Sequence, residues 1–206
     1  MLDRNERRRR LAVDKAAFTR GLDVNVRDGR QIGALMRVLH DLVRISVARQ
    51  SVSPLMEWLH ANYSAASRQF ASAVQIDCRA GCAHCCHMWV DASPPEVIFM
   101  AKSLAGSARK TAAASVSEAM SATGKLSFDE RAAFVFPCPM LRSGQCSAYA
   151  VRPIVCRGAV SADVRACARV YNLESDEKIP VPMPYMAVSH GYRLALAGAV
   201  KQAGLA

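Results

Sequence analysis

The chain has 206 residues, of which 51% are apolar and 21% are charged, and its formal net charge is +10. This composition excludes an intrinsically disordered protein, and the length allows a buried core without disulfide staples. The first residues carry positive charge but lack the apolar stretch of a secretory signal. The longest late apolar run, residues 194–200, is far shorter than the ~20 residues of a membrane-spanning helix. We therefore expect a folded, cytoplasmic protein with no membrane attachment.

The excess of positive charge is densest at the N-terminus, where residues 1–30 contain nine Arg and Lys residues against five Asp and Glu residues. We predict a basic, flexible arm over residues 1–30 and a single helical domain over residues 31–206. The run Arg7–Arg10 could contact nucleic acid or an acidic partner. Aromatic residues make up only 6% of the chain, and no base-stacking motif accompanies the arm. A solvated arm is therefore favoured, and nucleic acid is not the expected partner.

Capping residues and hydrophobic periodicity predict a mostly helical chain. Ser53-Pro54 is typical of a helix start, with the serine as N-cap and the proline in the first turn. Ser93 with Glu96, and Ser127 with Glu130, have the spacing of capping boxes. The predicted helices cover residues 31–50, 53–74, 94–104, 107–123, 127–135, 162–171 and 185–203. Strands and helices do not alternate, so the predicted fold class is mainly α, with irregular loops that carry the cysteines.

Four of the eight cysteines lie within nine residues, at Cys78, Cys82, Cys85 and Cys86. If this stretch were helical, the first three would share one face of the helix. Thiols this close together are easily oxidised in the absence of a partner. Disulfides are rare in the cytoplasm, whereas metal-bound cysteines are common there. The block therefore predicts a bound metal ion or cluster, and a disulfide framework is the disfavoured alternative.

A second cysteine region begins at Cys138, which has a proline on each side and is therefore expected in extended backbone. Cys146 and Cys156 follow, and Cys167 lies on the predicted helix 162–171. Structural zinc usually takes two short cysteine knuckles, and these widely separated cysteines do not supply the second one. Three close cysteines with a distant fourth suit a 4Fe-4S cluster better. Two four-cysteine zinc sites would also use all eight thiols, so zinc remains open.

Charged and ionisable neighbours accompany both cysteine regions. His84 and His87 could ligate metal, donate hydrogen bonds to thiolates or face solvent. Arg79, Arg152 and Arg157 could offset thiolate charge or be ordinary surface residues.

The spacing Cys78-x3-Cys82-x2-Cys85 also matches the three-cysteine signature of radical S-adenosylmethionine enzymes. The barrel of those enzymes needs alternating strands and helices after the motif, and the residues that follow here have the pattern of helices. The position before the third cysteine, usually aromatic in that family, is His84. The match is therefore weak in this context.

Taken together, the two cysteine regions resemble the YkgJ-type CxxxCxxCC family, which is described as zinc- or iron-chelating. The resemblance covers residues 76–158, and Cys167 has no firm counterpart in it. Beyond the first four cysteines, the matching residues are Pro137-Cys138-Pro139, Leu141, Gly144, Cys146, Tyr149, Arg152-Pro153 and Cys156-Arg157. The resemblance implies metal or cluster binding, and the candidate ligands are Cys78, Cys82, Cys85, Cys86, Cys138, Cys146 and Cys156.

A related cysteine pattern occurs in flagellin lysine methylases, which are larger and are similarly thought to carry a 4Fe-4S cluster and to use S-adenosylmethionine. This chain has no glycine-rich nucleotide turn, so methyl transfer would rest on analogy alone.

The first hypothesis is a protein that holds a 4Fe-4S cluster and has a redox or accessory role. The alternative is a zinc-binding structural or chelating module that recruits a protein partner. A further alternative is a small S-adenosylmethionine-dependent methylase relative. Whether the chain is an enzyme stays open at this point.

Overall fold

The structure is a computed structural model that describes residues 29–69, 73–172 and 177–205. The predicted arm over residues 1–30 lies outside this part of the chain, apart from its last two residues. The described residues are mostly helical, which confirms the predicted mainly-α fold class. The helices are α1 (Gly29–Ala48), α2 (Ser53–Arg68), α3 (Pro94–Ser103), α4 (Gly106–Thr123), α5 (Phe128–Ala133), α6 (Ile154–Gly158), α7 (Val164–Tyr171) and α8 (Met183–Gln202).

Short elements occupy the stretches between α2 and α7. Two 3-10 turns cover His84–His87 and Tyr149–Val151. Strands β1 (Leu141–Arg142) and β2 (Gln145–Cys146) form an antiparallel hairpin in which Leu141 pairs with Cys146.

The described chain divides into two compact units. The first, called the bundle unit, takes its described residues from the chain up to Val74 and from Met183 onward. The second, called the cysteine unit, is Gln75–Pro182 and contains all eight cysteines. The single helical domain predicted over residues 31–206 stays a prediction. No helix in the described ranges is long and apolar enough to cross a membrane.

The bundle unit consists of α1, α2 and α8, which pack on one another through apolar stripes. Leu39, Leu59 and Val188 are fully buried, one from each helix. Tyr63 and Tyr192 meet edge to face, with ring centroids 5.4 Å apart. This packing removes a continuous apolar surface from water, which is the main source of stability for helices of this length.

Helix α2 differs from its prediction at both ends. Its N-cap is Val52, so the predicted N-cap at Ser53 is wrong, and Ser53 is the first helical residue. The helix therefore starts one residue earlier than predicted. The hydroxyl of Ser51 accepts a hydrogen bond from the Ser53 N–H at 3.4 Å. The helix ends at Arg68 and not at Val74.

The capping boxes predicted for α3 and α5 are both present. The Glu96 carboxylate accepts hydrogen bonds from the N–H and the hydroxyl of Ser93, at 2.8 and 2.6 Å. Glu130 makes the same pair of contacts with Ser127, at 2.8 and 2.7 Å. Each carboxylate thus satisfies donors at the start of a helix, where no intrahelical partner exists.

The cysteine unit contains a small buried apolar cluster. Leu104, Ala112, Met140 and Ala148 are buried together, and Cys138 and Cys146 are among the partly buried side chains packed against them. Two of the four buried members are alanines, which remove little apolar area from water. The cysteines therefore contribute to the interior of this unit.

Candidate metal centre

The first cysteine block is a turn followed by a 3-10 helix, so the helical arrangement considered for Cys78, Cys82 and Cys85 is not formed. Gly81 has φ +90°, a conformation that side chains disfavour, and this breaks the path between the first two cysteines. The N–H of Cys82 donates to the carbonyl of Arg79 at 3.0 Å. Regular hydrogen bonding begins only at His84, the start of the 3-10 turn.

Adjacent Cys85 and Cys86 lie within this turn and point in different directions, because a 3-10 helix rotates about 120° per residue. A hydrogen bond nevertheless links the side chains of Cys85 and Cys86. This bond raises the pKa of Cys85, which burial raises further, and it lowers the pKa of Cys86 against an opposing effect of burial. The pKa values of these two neighbouring thiols are thus shifted in opposite directions.

The second cysteine region is tied to the first block by backbone hydrogen bonds. The Cys138 N–H donates to the Cys86 carbonyl at 2.7 Å, and the Phe136 N–H donates to the His87 carbonyl at 3.4 Å. The β1–β2 hairpin then returns the chain to Cys146 through a two-residue turn at 143–144, where both residues have positive φ. Positive φ at both positions is typical of the tight turn that suits a two-stranded hairpin.

Cys156 lies on the short helix α6, which is held in place by Glu96. Besides capping α3, the Glu96 carboxylate accepts a hydrogen bond from the Ile154 N–H at the start of α6, at 2.8 Å. Glu96 is only 4% exposed, so this is a buried link between two segments 58 residues apart. The sequence predicted the cap of α3 but not this second contact.

Four cysteines form what we call the Cys86 group: Cys86, Cys138, Cys146 and Cys156. Burial raises the pKa of Cys156 to about 12, and the charges of Cys138, Cys85 and Cys146 add to the effect. Burial also raises the pKa of Cys138, partly offset by a hydrogen bond from the Met140 N–H to its sulfur at 3.5 Å. Cys86 in turn is influenced by the other three members. The pKa values of Cys86, Cys138 and Cys156 thus each respond to the charges of other members of this group.

Three further cysteines form what we call the Cys78 group: Cys78, Cys82 and Cys167. The Ser161 N–H donates a hydrogen bond to the Cys78 sulfur at 3.1 Å. Burial raises the pKa of Cys78, the Ser161 bond lowers it, and repulsion by Cys82 and Cys167 raises it again. Cys167 is buried on α7, and sequence reasoning had left it out of the candidate ligands. Cys85 influences the pKa of both Cys78 and Cys167.

Arg152 is a cation whose positive charge acts on two of the cysteine thiols. Its charge opposes the rise in the pKa of Cys85 and of Cys156. The guanidinium lies 3.8 Å from the ring centroid of Tyr149, and its buried Nε has no hydrogen-bond partner among the described residues. A buried donor without a partner costs about 1–3 kcal/mol, so this position suits an anionic group such as a sulfur-ligated metal centre.

The other predicted neighbours have more local contacts. Arg157 donates to the backbone carbonyls of Arg152 and Ala150, and its role in offsetting thiolate charge stays a prediction. The Nδ1 of His87 lies 3.3 Å from the carbonyl oxygen of His84. Ligation of metal by either histidine stays a prediction.

All eight cysteines are free thiols. Within the described residues, no three His, Cys, Asp or Glu side chains are spaced to hold a single metal ion. The chemistry of the two groups is nevertheless uniform, since every candidate donor in them is sulfur. Sulfur donors suit zinc and iron–sulfur clusters, and hard cations such as magnesium prefer oxygen.

Residues 77–177 match the model of the CxxCxxCC family, which carries the description "Putative zinc- or iron-chelating domain". The part of the chain that is similar to this family is therefore the segment 77–177. The resemblance predicted from the sequence is thereby confirmed, although this chain has three residues between its first two cysteines where the family name has two. The matched segment runs beyond the predicted end at residue 158 and includes Cys167. This match supports cysteine-ligated metal binding. The comparisons with curated proteins and with solved structures give no match.

Proposed function

We propose that this chain holds a 4Fe-4S cluster on cysteine thiolates and serves in electron transfer or as an accessory redox protein. The observation that carries the proposal is the 2.7 Å bond from the Cys138 N–H to the Cys86 carbonyl. It joins the first cysteine block to a segment 52 positions later, so that thiols distant in sequence share one neighbourhood. The proposed ligands are drawn from Cys78, Cys82, Cys85, Cys86, Cys138, Cys146 and Cys156.

Several features of the site suit this cofactor. A 4Fe-4S cluster supplies one-electron redox chemistry, and its potential depends on burial, net charge and hydrogen bonds to sulfur. The Met140 N–H that faces the Cys138 sulfur and the positive charge of Arg152 would both favour the reduced state. Partial burial of the Cys86 group would limit access of water and oxidants.

A zinc-binding structural module that recruits a protein partner is the second candidate. One observation favours it: a buried apolar cluster of the cysteine unit is small, with two alanines among its four members. Metal binding can supply the folding free energy that such a cluster lacks. The methylase alternative gains no support from the described residues and stays a prediction.

Anaerobic purification of the full chain, followed by analysis of iron, sulfide and zinc, distinguishes the two candidates. A brown protein with equal amounts of iron and sulfide, and with broad sulfur-to-iron absorption, would support the cluster. A colourless protein with stoichiometric zinc that fails to accept iron and sulfide on reconstitution would overturn the cluster in favour of zinc. A folded protein that binds neither would overturn both candidates.

Two variants test whether cysteines of the Cys86 group bind the metal. Cys138→Ser and Cys156→Ser should each reduce bound metal, because each removes a proposed ligand. Ser121→Ala is the matched control, since this exposed hydroxyl on α4 bonds only the Ser117 carbonyl of its own helix. Unchanged metal content in both cysteine variants would contradict ligation by the Cys86 group.

A further inference from the structure

The three helices of the bundle unit present different residues to solvent. The exposed positions of α1 include Arg30, Arg37 and Arg44, at intervals of seven residues. Those of α2 include Glu57 and Arg68. Charged side chains are usual on the outer face of a helix whose inner face is buried. The outer faces of α1 and α2 therefore have the composition of an ordinary solvent-exposed surface.

Helix α8 differs, because it is apolar on its outer face as well as on its inner face. The inner face contributes Val188 and Tyr192 to the core of the bundle unit, each at most 1% exposed. On the outer face, Met183 is 65% exposed, Met186 45% and Leu194 47%. The helix contains no Asp or Glu residue. A helix that is apolar all round is usually buried all round, so we expect the outer face of α8 to be covered.

The exposed positions of α8 have the spacing of a seam between two helices. The first five form what we call the α8 stripe: Met183, Met186, His190, Leu194 and Ala197. The steps between them are three, four, four and three residues, an average of 3.5. This is the repeat at which one helix packs along another in a coiled coil.

The α8 stripe is also symmetric about His190. Met186 and Leu194 lie four residues before and after it, and Met183 and Ala197 lie seven residues before and after it. Two identical helices that pair antiparallel about His190 would place Met186 of one copy opposite Leu194 of the other. Met183 would lie opposite Ala197, so that a large side chain meets a small one, as in a well-packed core. A twofold interface requires this kind of self-complementary surface.

We propose that the outer face of α8 is a homodimer interface, at which the helix pairs antiparallel with α8 of a second copy. The symmetry about His190 favours a second copy, since neither a different protein nor a lipid surface requires it. A helix that binds a lipid surface typically carries many Lys and Arg residues beside its apolar face, whereas α8 has only Arg193 and Lys201. The inference concerns the bundle unit and does not rest on the function proposed for the cysteine unit.

The α8 stripe is about 21 Å long at a rise of ~1.5 Å per residue, which is short for a stable interface. We therefore expect reversible association that depends on concentration. Sedimentation equilibrium of the anaerobically purified full chain, from low to high micromolar concentration, measures it. Salt should strengthen the dimer, because it screens repulsion between two chains of formal net charge +10.

Two single variants should prevent dimerisation. Leu194→Glu places a charge opposite Met186 of the second copy, and Met186→Lys places one opposite Leu194. Burying an unpaired charge is costly, so each variant should be a monomer at concentrations where the natural protein is a dimer. Val47→Glu on α1 is the matched control, since Val47 is 56% exposed and lies outside the α8 stripe. It should dimerise like the natural protein, and all three variants should keep the natural circular dichroism.

The double variant Met186→Lys/Leu194→Glu tests the antiparallel register. In that register each lysine faces a glutamate of the second copy, so the dimer should return. Within one chain the two positions are about 12 Å apart along the helix, too far to pair with each other. Parallel pairing would place lysine against lysine and glutamate against glutamate. Recovery of the dimer in the double variant would therefore identify antiparallel α8 pairing.

Several results would overturn the inference. One is a natural protein that stays monomeric at every concentration, and another is a dimer that salt weakens. A dimer that Leu194→Glu leaves intact, or that Val47→Glu also abolishes, would exclude the α8 stripe as its interface. Failure of the double variant to dimerise would reject the antiparallel pairing. A monomer that sediments with vesicles of anionic phospholipid would assign the outer face of α8 to a membrane surface instead.

Discussion

The bundle unit and the cysteine unit use different sources of stability. In the bundle unit, fully buried side chains such as Leu39, Leu59 and Tyr192 come from three helices of up to 20 residues. In the cysteine unit, the helices are mostly shorter and a buried apolar cluster includes Ala112 and Ala148. Apolar burial accounts for the stability of the bundle unit. The stability of the cysteine unit also depends on buried hydrogen bonds and, as we propose, on metal–thiolate bonds. The comparison predicts that folding and metal binding are coupled in the cysteine unit and not in the bundle unit.

Removal of metal should have the largest effect. Metal binding to structural thiolate sites is worth ~10–16 kcal/mol at neutral pH, which is comparable to the whole stability of a domain. A chelator under reducing conditions should abolish amide-exchange protection in α3 and α7 and leave α1, α2 and α8 protected. Hydrogen exchange followed by mass spectrometry checks this. Equal loss of protection in both units, or in neither, would break the comparison.

Truncation of a buried side chain in the bundle unit should have the second-largest effect. Leu39 is 0% exposed, and Leu39→Ala should lower the free energy of unfolding of the bundle unit by about 2–5 kcal/mol through lost burial and a cavity. Val47→Ala on the same helix is the control, since Val47 is 56% exposed. Urea denaturation monitored by helical circular dichroism measures the loss. Metal content should not change, and a loss of metal would show that the two units are coupled.

Removal of the Glu96 carboxylate should destabilise the cysteine unit to a smaller extent. Glu96→Ala leaves the buried Ile154 N–H without this acceptor, which should cost about 1–3 kcal/mol. Glu96→Gln retains an acceptor oxygen and should cost less. Glu118→Ala, an exposed change on α4, serves as the control. Chemical denaturation of the metal-bound protein measures the loss of stability in each variant. Equal losses in Glu96→Ala and Glu96→Gln would contradict the prediction.

The smallest expected effect concerns the exposed cap of α5. Hydrogen bonds from Ser127 hold the pKa of Glu130 below its ordinary value. The stabilisation is therefore present above the unfolded-state pKa and is lost as the pH falls through the lowered folded-state value. Amide exchange in α5 should rise slightly on acidification, and Glu130→Gln should remove that dependence. Asp129→Asn is the neighbouring control, and a pH profile unaffected by Glu130→Gln would disprove the role of this carboxylate.

Local features of the fold could be predicted from the sequence because their causes lie within a few residues. The pairs Ser93 with Glu96 and Ser127 with Glu130 identify helix starts through contacts that span three positions. The start of α2 was predicted one residue off, because both Ser51 and Ser53 carry a hydroxyl suited to a turn. Helical spacing alone could not reveal that Gly81 interrupts the first cysteine block.

The grouping of the cysteines could not be predicted, because it depends on contacts between distant segments. The donor to the Cys78 sulfur is a backbone N–H, which every residue except proline possesses, so Ser161 carried no signal in the sequence. The contact of Glu96 with Ile154 could not be predicted, because the capping motif already gave the Glu96 carboxylate a structural role. The family resemblance supplied seven candidate ligands, and only the fold shows that the Ser161 N–H contacts the Cys78 sulfur.

The bundle unit is discontinuous in the chain, since α1 and α2 precede the cysteine unit and α8 follows it. During synthesis, the whole of Gln75–Pro182 must therefore leave the ribosome before α8 can join its two partner helices. Until then, the apolar stripes of α1 and α2 lack one of their covering helices and are open to association with other nascent chains. The rate at which residues 75–182 are translated therefore sets how long the apolar surface of α1 and α2 stays exposed.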